Sequence, residues 1–437
     1  MTGCSILQGN CLDVLPTLES NSVDSIVTDP PYGISFMGKK WDYDVPSVDV
    51  WRECLRVLKP GGHLLSFAGT RTQHRMAVNI EDAGFEIRDM IAWVYGSGFP
   101  KSHNVGNAVD KSLGCENRGH AISSGSQIHP TTGKPRANGE LLPKYEGRTD
   151  EGKKWAGFGT ALKPAMEPIT VARKPLIGTV AANVLAHGCG GLNIDGCRVE
   201  YQGKEDFENT LKSNTGNIAG GTFKCSSKSM AKEEVITQLG RFPANLIHDG
   251  SQEVLELFPN TKGVIRKPTG KGILNPETGW NNNSMTDTTV RGHNDSGSAA
   301  RFFYCAKASK QDRDEGCESM PAVKSGMSNG AQLHGEGYDK GQDIGLNRVI
   351  QRRNHHPTVK PTALMRYLVK LVSRPGHTIL DPFSGSGSTG KAAILEARQF
   401  LGIELQPEYV QIATARLSHA VKLHQESSAQ HSAVTHH

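Results

Sequence analysis

Thr378-Ile379-Leu380-Asp381-Pro382-Phe383-Ser384-Gly385-Ser386-Gly387-Ser388 is the stretch on which the fold turns. Thr378-Ile379-Leu380 predicts a short strand, the paired glycines a tight turn, and Ser388 to Ala397 a helix. Strand, glycine turn and helix in that order make the crossover of a nucleotide-binding sheet. Glycines let the backbone approach a ligand, and the amides of a helix N-terminus favour a carboxylate or another anion. A branched side chain at Gly387 would, on this reading, fill ligand space. Seventeen residues past Gly387, Glu404 ends the predicted strand Phe400-Leu401-Gly402-Ile403. An acidic residue there can accept hydrogen bonds from both hydroxyls of a ribose. Gly390 follows Gly387 by only three residues, which is not dinucleotide spacing and speaks against a nicotinamide site. Two glycines alone leave a simple packing turn open as the alternative.

A second signal lies some 350 residues earlier, at Asp29-Pro30-Pro31-Tyr32, after the apolar run Val23 to Thr28. The run predicts a strand that stops at the prolines. Asp29 then stands where a parallel strand ends, which is where open sheets of this kind bind ligands. Its carboxylate can accept a hydrogen bond from an amino group. The carbonyl of Pro30 is a second acceptor, and Tyr32 offers a ring on which a base can stack. Two acceptors aimed at one aromatic amine would localise a lone pair otherwise delocalised into the ring. The bland alternative is a proline-stiffened turn with Asp29 as a helix cap.

Between these signals the chain alternates. Val48 to Leu58 has helical spacing, Lys59-Pro60-Gly61-Gly62 predicts a helix stop and turn, and His63 to Phe67 predicts a strand. Thr72 to Asp82 follows as a helix, Gly84 to Val94 as a strand, and Pro168 to Ala172 as another strand. Thr362 to Val372 predicts a helix, and a last helix starts at Pro407. Strands separated by helices imply an α/β fold with a mostly parallel sheet flanked by helices. Residues 101–160 are rich in Gly, Ser, Lys, Asn and Pro and predict a mobile loop. Stretches near 202–232 and 262–298 predict exposed loops.

The 437 residues allow two domains or one with an insertion. A net charge of +5 permits a polyanionic partner without requiring one. No apolar run reaches the length of a membrane span, and the first residues do not resemble a secretory signal. Nine cysteines without a Cys-x-x-Cys pair fit reduced thiols and give no zinc spacing, so no metal is expected.

With these residues in place the chain resembles the S-adenosylmethionine-dependent DNA methyltransferases that modify exocyclic amino groups, over roughly residues 5–105, 160–180 and 355–420. The resemblance implies that Asp29, Pro30, Pro31 and Tyr32 form the catalytic box. It implies cofactor contacts from Asp381, Phe383, Gly385, Gly387, Ser388 and Glu404. His356-Pro357-Thr358-Val359-Lys360-Pro361 is similar to the segment that closes over the methyl donor, which adds Thr358 and Lys360. Gly9-Asn10-Cys11-Leu12 matches the segment near the cofactor adenine, with Asn10 where the family usually has Asp.

The catalytic box precedes the glycine box, an order that resembles the beta group. That implies a circularly permuted, Rossmann-like methyltransferase fold. It also implies a catalytic half at 1–175, an inserted target-recognition region at 176–350, a cofactor-binding half at 351–420 and a disordered tail at 421–437. The same resemblance implies double-stranded DNA as partner, a homodimer, a bacterial or phage origin and a cytoplasmic setting.

None of the 22 prolines precedes a cysteine, so the thiolate route of carbon-5 cytosine enzymes is closed. Aspartate at the head of the box resembles the adenine enzymes more than the cytosine-N4 ones. Two other readings are a DNA-binding regulator without catalysis, against which both motifs stand intact, and a fusion to a nuclease, for which no separate carboxylate cluster is present.

Overall fold

The computed structural model describes residues 3–34, 42–98, 102–115, 145–201, 206, 240–261, 264–266, 272–274, 281–286, 291–293, 297–307, 309, 311–326 and 349–434. Among them nine strands join in one sheet. They are β1 (Cys4–Gln8), β2 (Val23–Thr28), β3 (Leu58–Phe67), β4 (Glu86–Val94), β5 (Met166–Arg173), β6 (Leu246–His248), β7 (Tyr304–Cys305), β8 (Thr378–Asp381) and β9 (Gln399–Glu404). Their spatial order is β1-β9-β8-β2-β3-β5-β4-β6-β7. Neighbours run parallel except at β5, which is antiparallel to both β3 and β4.

The side-chain period of two sends consecutive strand residues to opposite faces. Val27, Leu65, Ile379 and Phe400 face one core, with Leu364 and Leu368 of α4 (Thr362–Val372), Ile394 of α5 (Ser388–Leu395) and Leu417 of α6 (Pro407–Val434). Ile26, Leu64, Leu380 and Ile403 face the other core, with Trp51 and Val57 of α2 (Val48–Val57) and Met76 and Ile80 of α3 (Gln73–Asp82). The central strand β2 is therefore buried along its whole length. Its polar residues are each satisfied. Asp24 accepts from Lys59 at 2.6 Å and from the Thr378 amide at 2.8 Å. The Ser25 hydroxyl donates to the Val372 carbonyl at 2.6 Å, and Thr28 donates to Asp381 at 2.6 Å.

Three sequence expectations need correction. Although α2 (Val48–Val57) stops here as expected, Lys59-Pro60-Gly61-Gly62 is not a turn ahead of a separate strand. It lies inside β3, where the pairing shifts from Val23 opposite Leu58 to Ser25 opposite His63. Gly61 makes the irregularity possible with φ +77°, and a Cβ there would lie 2.4 Å from Asn183 Nδ2. The expected disordered tail from 421 is instead helical through Val434. Leu417, Ala420 and Val421 anchor α6 on the core, and Lys422, Leu423, Gln425 and Glu426 are good helix formers that extend it. Residues 435–437 lie outside the described residues.

The third correction concerns the borders. The chain divides into one compact unit of Met1–Gly96, Met166–Asp312 and Val359–His437, and a second of Ser97–Ala165 and Arg313–Thr358. The expected border at 175 and 176 is not one of the fold, because β6 and β7 extend the same sheet. In the second unit the predicted mobile loop 101–160 carries helices at Val105–Ser112 and Asp150–Lys154. Asp110 organises them. It accepts from the Arg148 amide at 2.8 Å, the Thr149 hydroxyl at 2.6 Å and the Tyr145 hydroxyl. Hydrogen bonds from Thr149 and Tyr145 hold its carboxyl well below the usual range. Residues 116–144, and most of the expected loops at 202–232 and 262–298, lie outside the described residues.

Burial of β2 on both faces has a measurable consequence. Ile26 is 0% exposed, so Ile26→Ala should cost about 2–5 kcal/mol of stability in urea unfolding. A loss below about 1 kcal/mol, the range of a surface change, would contradict the two-sided core.

Candidate active site

Parallel strands deliver their following loops to one edge of a sheet. β1, β9, β8 and β2 are consecutive neighbours and parallel, so the residues after them share an edge. Asn10 and Cys11 follow β1, Glu404 closes β9, Asp381 to Ser388 close and follow β8, and Asp29 to Tyr32 follow β2. The two motifs read from the sequence are thus side by side. Thr28 and Asp381, the last residues of β2 and β8, are hydrogen-bonded across 353 positions of sequence.

The glycine turn is built for close approach. Gly385 has φ +51° and Gly387 φ +76°. No side chain caps the N-terminus of α5, so its first amides are left to meet an anion. Glu404 sets the turn from the neighbouring strand. It accepts from the Gly385 amide at 2.8 Å through one oxygen and from the Gln406 amide at 2.8 Å through the other. Burial pushes its carboxyl up, and those amides pull it back. Arg416 of α6, fully buried, braces the turn from behind. It donates to the Ser386 carbonyl at 2.6 Å, the Ser388 hydroxyl at 3.3 Å and the Asp312 carbonyl at 2.9 Å. Phe383 meets the Trp51 ring edge-on, with centroids 6.4 Å apart.

A Cβ at Gly387 would lie 3.1 Å from the Ala413 Cβ on α6. The branched side chain considered above would therefore press on that helix, and the expectation that it fills ligand space is replaced by one of backbone strain and helix displacement. Gly390 is a packing glycine, since a Cβ there would lie 2.5 Å from Leu417 and Phe400.

Asp381 is buried and its carboxyl is raised to about 6, by burial first. Hydrogen bonds from Thr28 and Thr389 oppose the shift, and the charge of Asp29 adds to it. Asn10 caps α1 (Cys11–Val14) by accepting from the Leu12 amide at 3.0 Å. That bond uses its carbonyl oxygen and leaves the amide nitrogen. Burial pushes the Cys11 thiol up to about 11, so it stays protonated. The residues around the turn fit a donor with a carboxylate and a ribose. They offer free helix amides, glycines at positive φ and a carboxylate at the next strand tip.

The Asp29–Tyr32 segment is held by Lys360 and by residues that the sequence did not single out. The Asp42 carboxylate accepts from the Tyr32 and Gly33 amides at 2.6 and 2.9 Å, and the Thr72 hydroxyl donates to the Tyr32 carbonyl at 2.6 Å. The Tyr32 hydroxyl donates to Asp29 at 2.7 Å. The ammonium of Lys360 lies 2.8 Å from the other Asp29 oxygen, 3.0 Å from Glu167 and 3.1 Å from the Tyr32 hydroxyl. It also sits 4.8 Å from the Phe67 ring centroid. Burial alone would lower Lys360, but the charges of Asp29 and Glu167 outweigh it and hold the ammonium protonated. Burial and the same two carboxylates raise Tyr32, which stays a donor.

Lys360, expected among the cofactor contacts, is thus paired with the Asp29 carboxylate. Thr358 belongs to the second unit, where its carbonyl lies 2.6 Å from His356 Nδ1. Among the described residues no group of three or more His, Cys, Asp or Glu is placed to hold a metal, and no helix is long and apolar enough to cross a membrane.

A family model described as DNA methylase (N6_N4) matches residues 23–174 and 275–415, more than half of the chain. DNA adenine methyltransferase YhdJ of Escherichia coli K12 is 42% identical over 69 residues, 16% of this chain and 24% of that protein. Type II methyltransferase M.BglI of Bacillus subtilis is 41% identical over 64 residues, 15% of this chain and 18% of that protein. The alignments therefore span about a quarter or less of these relatives. The M1.HpyAVI–SAM complex covers 95% of this chain and 98% of its own at 16% identity and a TM-score of 0.35. PvuII cytosine-N4 DNA methyltransferase covers 95% and 86% at 14% identity and a TM-score of 0.38.

The turn's geometry predicts that Gly387→Val should lose S-adenosylmethionine affinity by at least about tenfold in calorimetry, because a residue with a Cβ is strained at this φ. Unchanged affinity in a folded variant would reduce the turn to a packing device.

Proposed function

The chain belongs to the DNA methylase family of N-6 and N-4 amino-methyltransferases, and within it we propose that the chain transfers a methyl group from S-adenosylmethionine to the exocyclic 6-amino group of adenine in double-stranded DNA. One observation carries this reading. The carboxylate of Asp29 stands at the end of a strand hydrogen-bonded, through Thr28 and Asp381, to the strand that opens the glycine turn.

Glu404 would hold the ribose, and the Gly385–Ser388 turn would hold the methionine carboxylate. Bound there, S-adenosylmethionine supplies an electrophilic methyl group. The residues of the box do the rest. Inside a duplex the amino group is out of reach, so the base is flipped out and stacks on Tyr32. Asp29 and the Pro30 carbonyl accept the two amino hydrogens and turn the nitrogen lone pair out of conjugation. Asp29 takes the proton that the alkylated nitrogen sheds and releases it to water. No covalent intermediate on the protein is involved, and positioning together with a polar site matched to developing charge carries the rate. Buried Lys360 compensates the negative charge of Asp29 and Glu167.

Adenine is favoured over cytosine by aspartate at the head of the box and by the name of the Escherichia coli relative. Residues 176–350 would choose the DNA sequence, and the protein would act as a homodimer, both by the same resemblance.

Digestion of DNA methylated by the purified chain to nucleosides, with mass spectrometry, tests the reading. The expected product is N6-methyldeoxyadenosine. N4-methyldeoxycytidine alone would move the chain to the other branch of its family, and no methylated nucleoside would overturn the transfer itself.

A further inference from the structure

Lys360, Asp29, Glu167 and Tyr32 form a closed cluster in which every ammonium proton has an acceptor, at 2.8, 3.0 and 3.1 Å. Both oxygens of Asp29 are engaged, one by Tyr32 and one by Lys360. An amino group that binds Asp29 through the oxygen facing Lys360 competes with the ammonium for it. The ammonium cannot simply leave, because two carboxylates would then stand uncompensated in a site where Lys360 is 7% exposed. Glu167 is the acceptor that remains. It comes from β5, which runs antiparallel to both of its neighbours, and also accepts from the Tyr32 hydroxyl at 3.1 Å.

We propose that Glu167 is a positioning residue of the methyl-transfer site. The Lys360 ammonium, set between Asp29 and Glu167, sits on the Asp29 oxygen that the target amino group would use, and Glu167 retains it when the amino group arrives. The inference rests on the role of Asp29 given above. With Asp29 and Glu167 negative and Lys360 positive, the cluster carries one net negative charge. The exchange leaves that charge unchanged, since the incoming amine is neutral. Removing the negative charge of Glu167 leaves Asp29 as the one carboxylate of the cluster paired with Lys360, and the target amine has to break that buried ion pair to bind. Removing both charges, of Glu167 and Lys360, restores the single negative charge and frees Asp29.

The test measures steady-state transfer of tritiated methyl from S-adenosylmethionine to unmethylated genomic DNA by the full chain, with S-adenosylmethionine affinity measured by calorimetry. Glu167→Gln should lower kcat by at least about tenfold while that affinity stays within about twofold, the scale of one weakened buried ion pair. The double variant Glu167→Gln/Lys360→Met should recover at least about fivefold of the lost kcat, the majority of the same term. Glu167→Asp, which draws the carboxylate back by one methylene, asks the same question if the glutamine variant does not fold, and should lower kcat at unchanged affinity. Wild-type kcat in a folded Glu167 variant overturns the proposal, and so does a double variant no faster than Glu167→Gln, which is the outcome of a merely structural role. A wild-type chain that methylates no DNA would instead overturn the reading of the site as a DNA methylase.

Discussion

The hydrogen bond from the Thr28 hydroxyl to the Asp381 carboxylate, 2.6 Å long, is the contact on which the rest of the site depends. It closes the end of the β2–β8 pair, in which Ser25 and Ile26 lie beside Ile379 and Leu380. Asp29 and Tyr32 follow one of those strand ends, and the glycine turn follows the other. The bond also fixes Asp381, whose oxygen accepts the Phe383 amide at 3.1 Å and so starts the turn. The chain places its two motifs some 350 residues apart, and this joint brings them together.

Charge is balanced on both sides of the joint by buried groups of the opposite sign. On the β2 side Lys360 serves two carboxylates. On the β8 side Arg416 and Lys391 lie buried behind the turn, with Lys391 3.9 Å from Asp312. Buried ion pairs contribute little net stability when they are made and cost several kcal/mol when one partner is lost. Their value here is therefore geometric. They hold oxygen atoms in fixed places where water would otherwise let them rotate.

The elements legible in the sequence were those with local signals. β2 and β8 are short apolar runs stopped by prolines or glycines, and α4 carries its apolar residues at helical spacing. The site residues found were likewise those inside motifs. Thr72, Glu167 and Arg416 were missed because each acts on a partner distant in sequence, 135 residues for Glu167 and Tyr32, and Asp42, ten residues from the Tyr32 amide that donates to it, lies outside the motif. Glu167 immediately precedes the apolar run Pro168 to Ala172, and an acidic residue at the start of an apolar strand was its available signal. β3 was misread at Pro60-Gly61-Gly62 because a bulge and a turn use the same residues. The α6 extension was misread because a polar helix anchored at one end has the composition of a tail.

The division of labour between the two strand ends is the central claim, and one comparison tests it most directly. Asp29→Ala should bind S-adenosylmethionine with an affinity within about twofold of the wild type, and its single-turnover methyl transfer to DNA should fall by at least about a thousandfold, the scale of losing a group that acts only in the transition state. Near-normal transfer by that variant, or a loss of S-adenosylmethionine binding as large as the loss of transfer, would contradict the account.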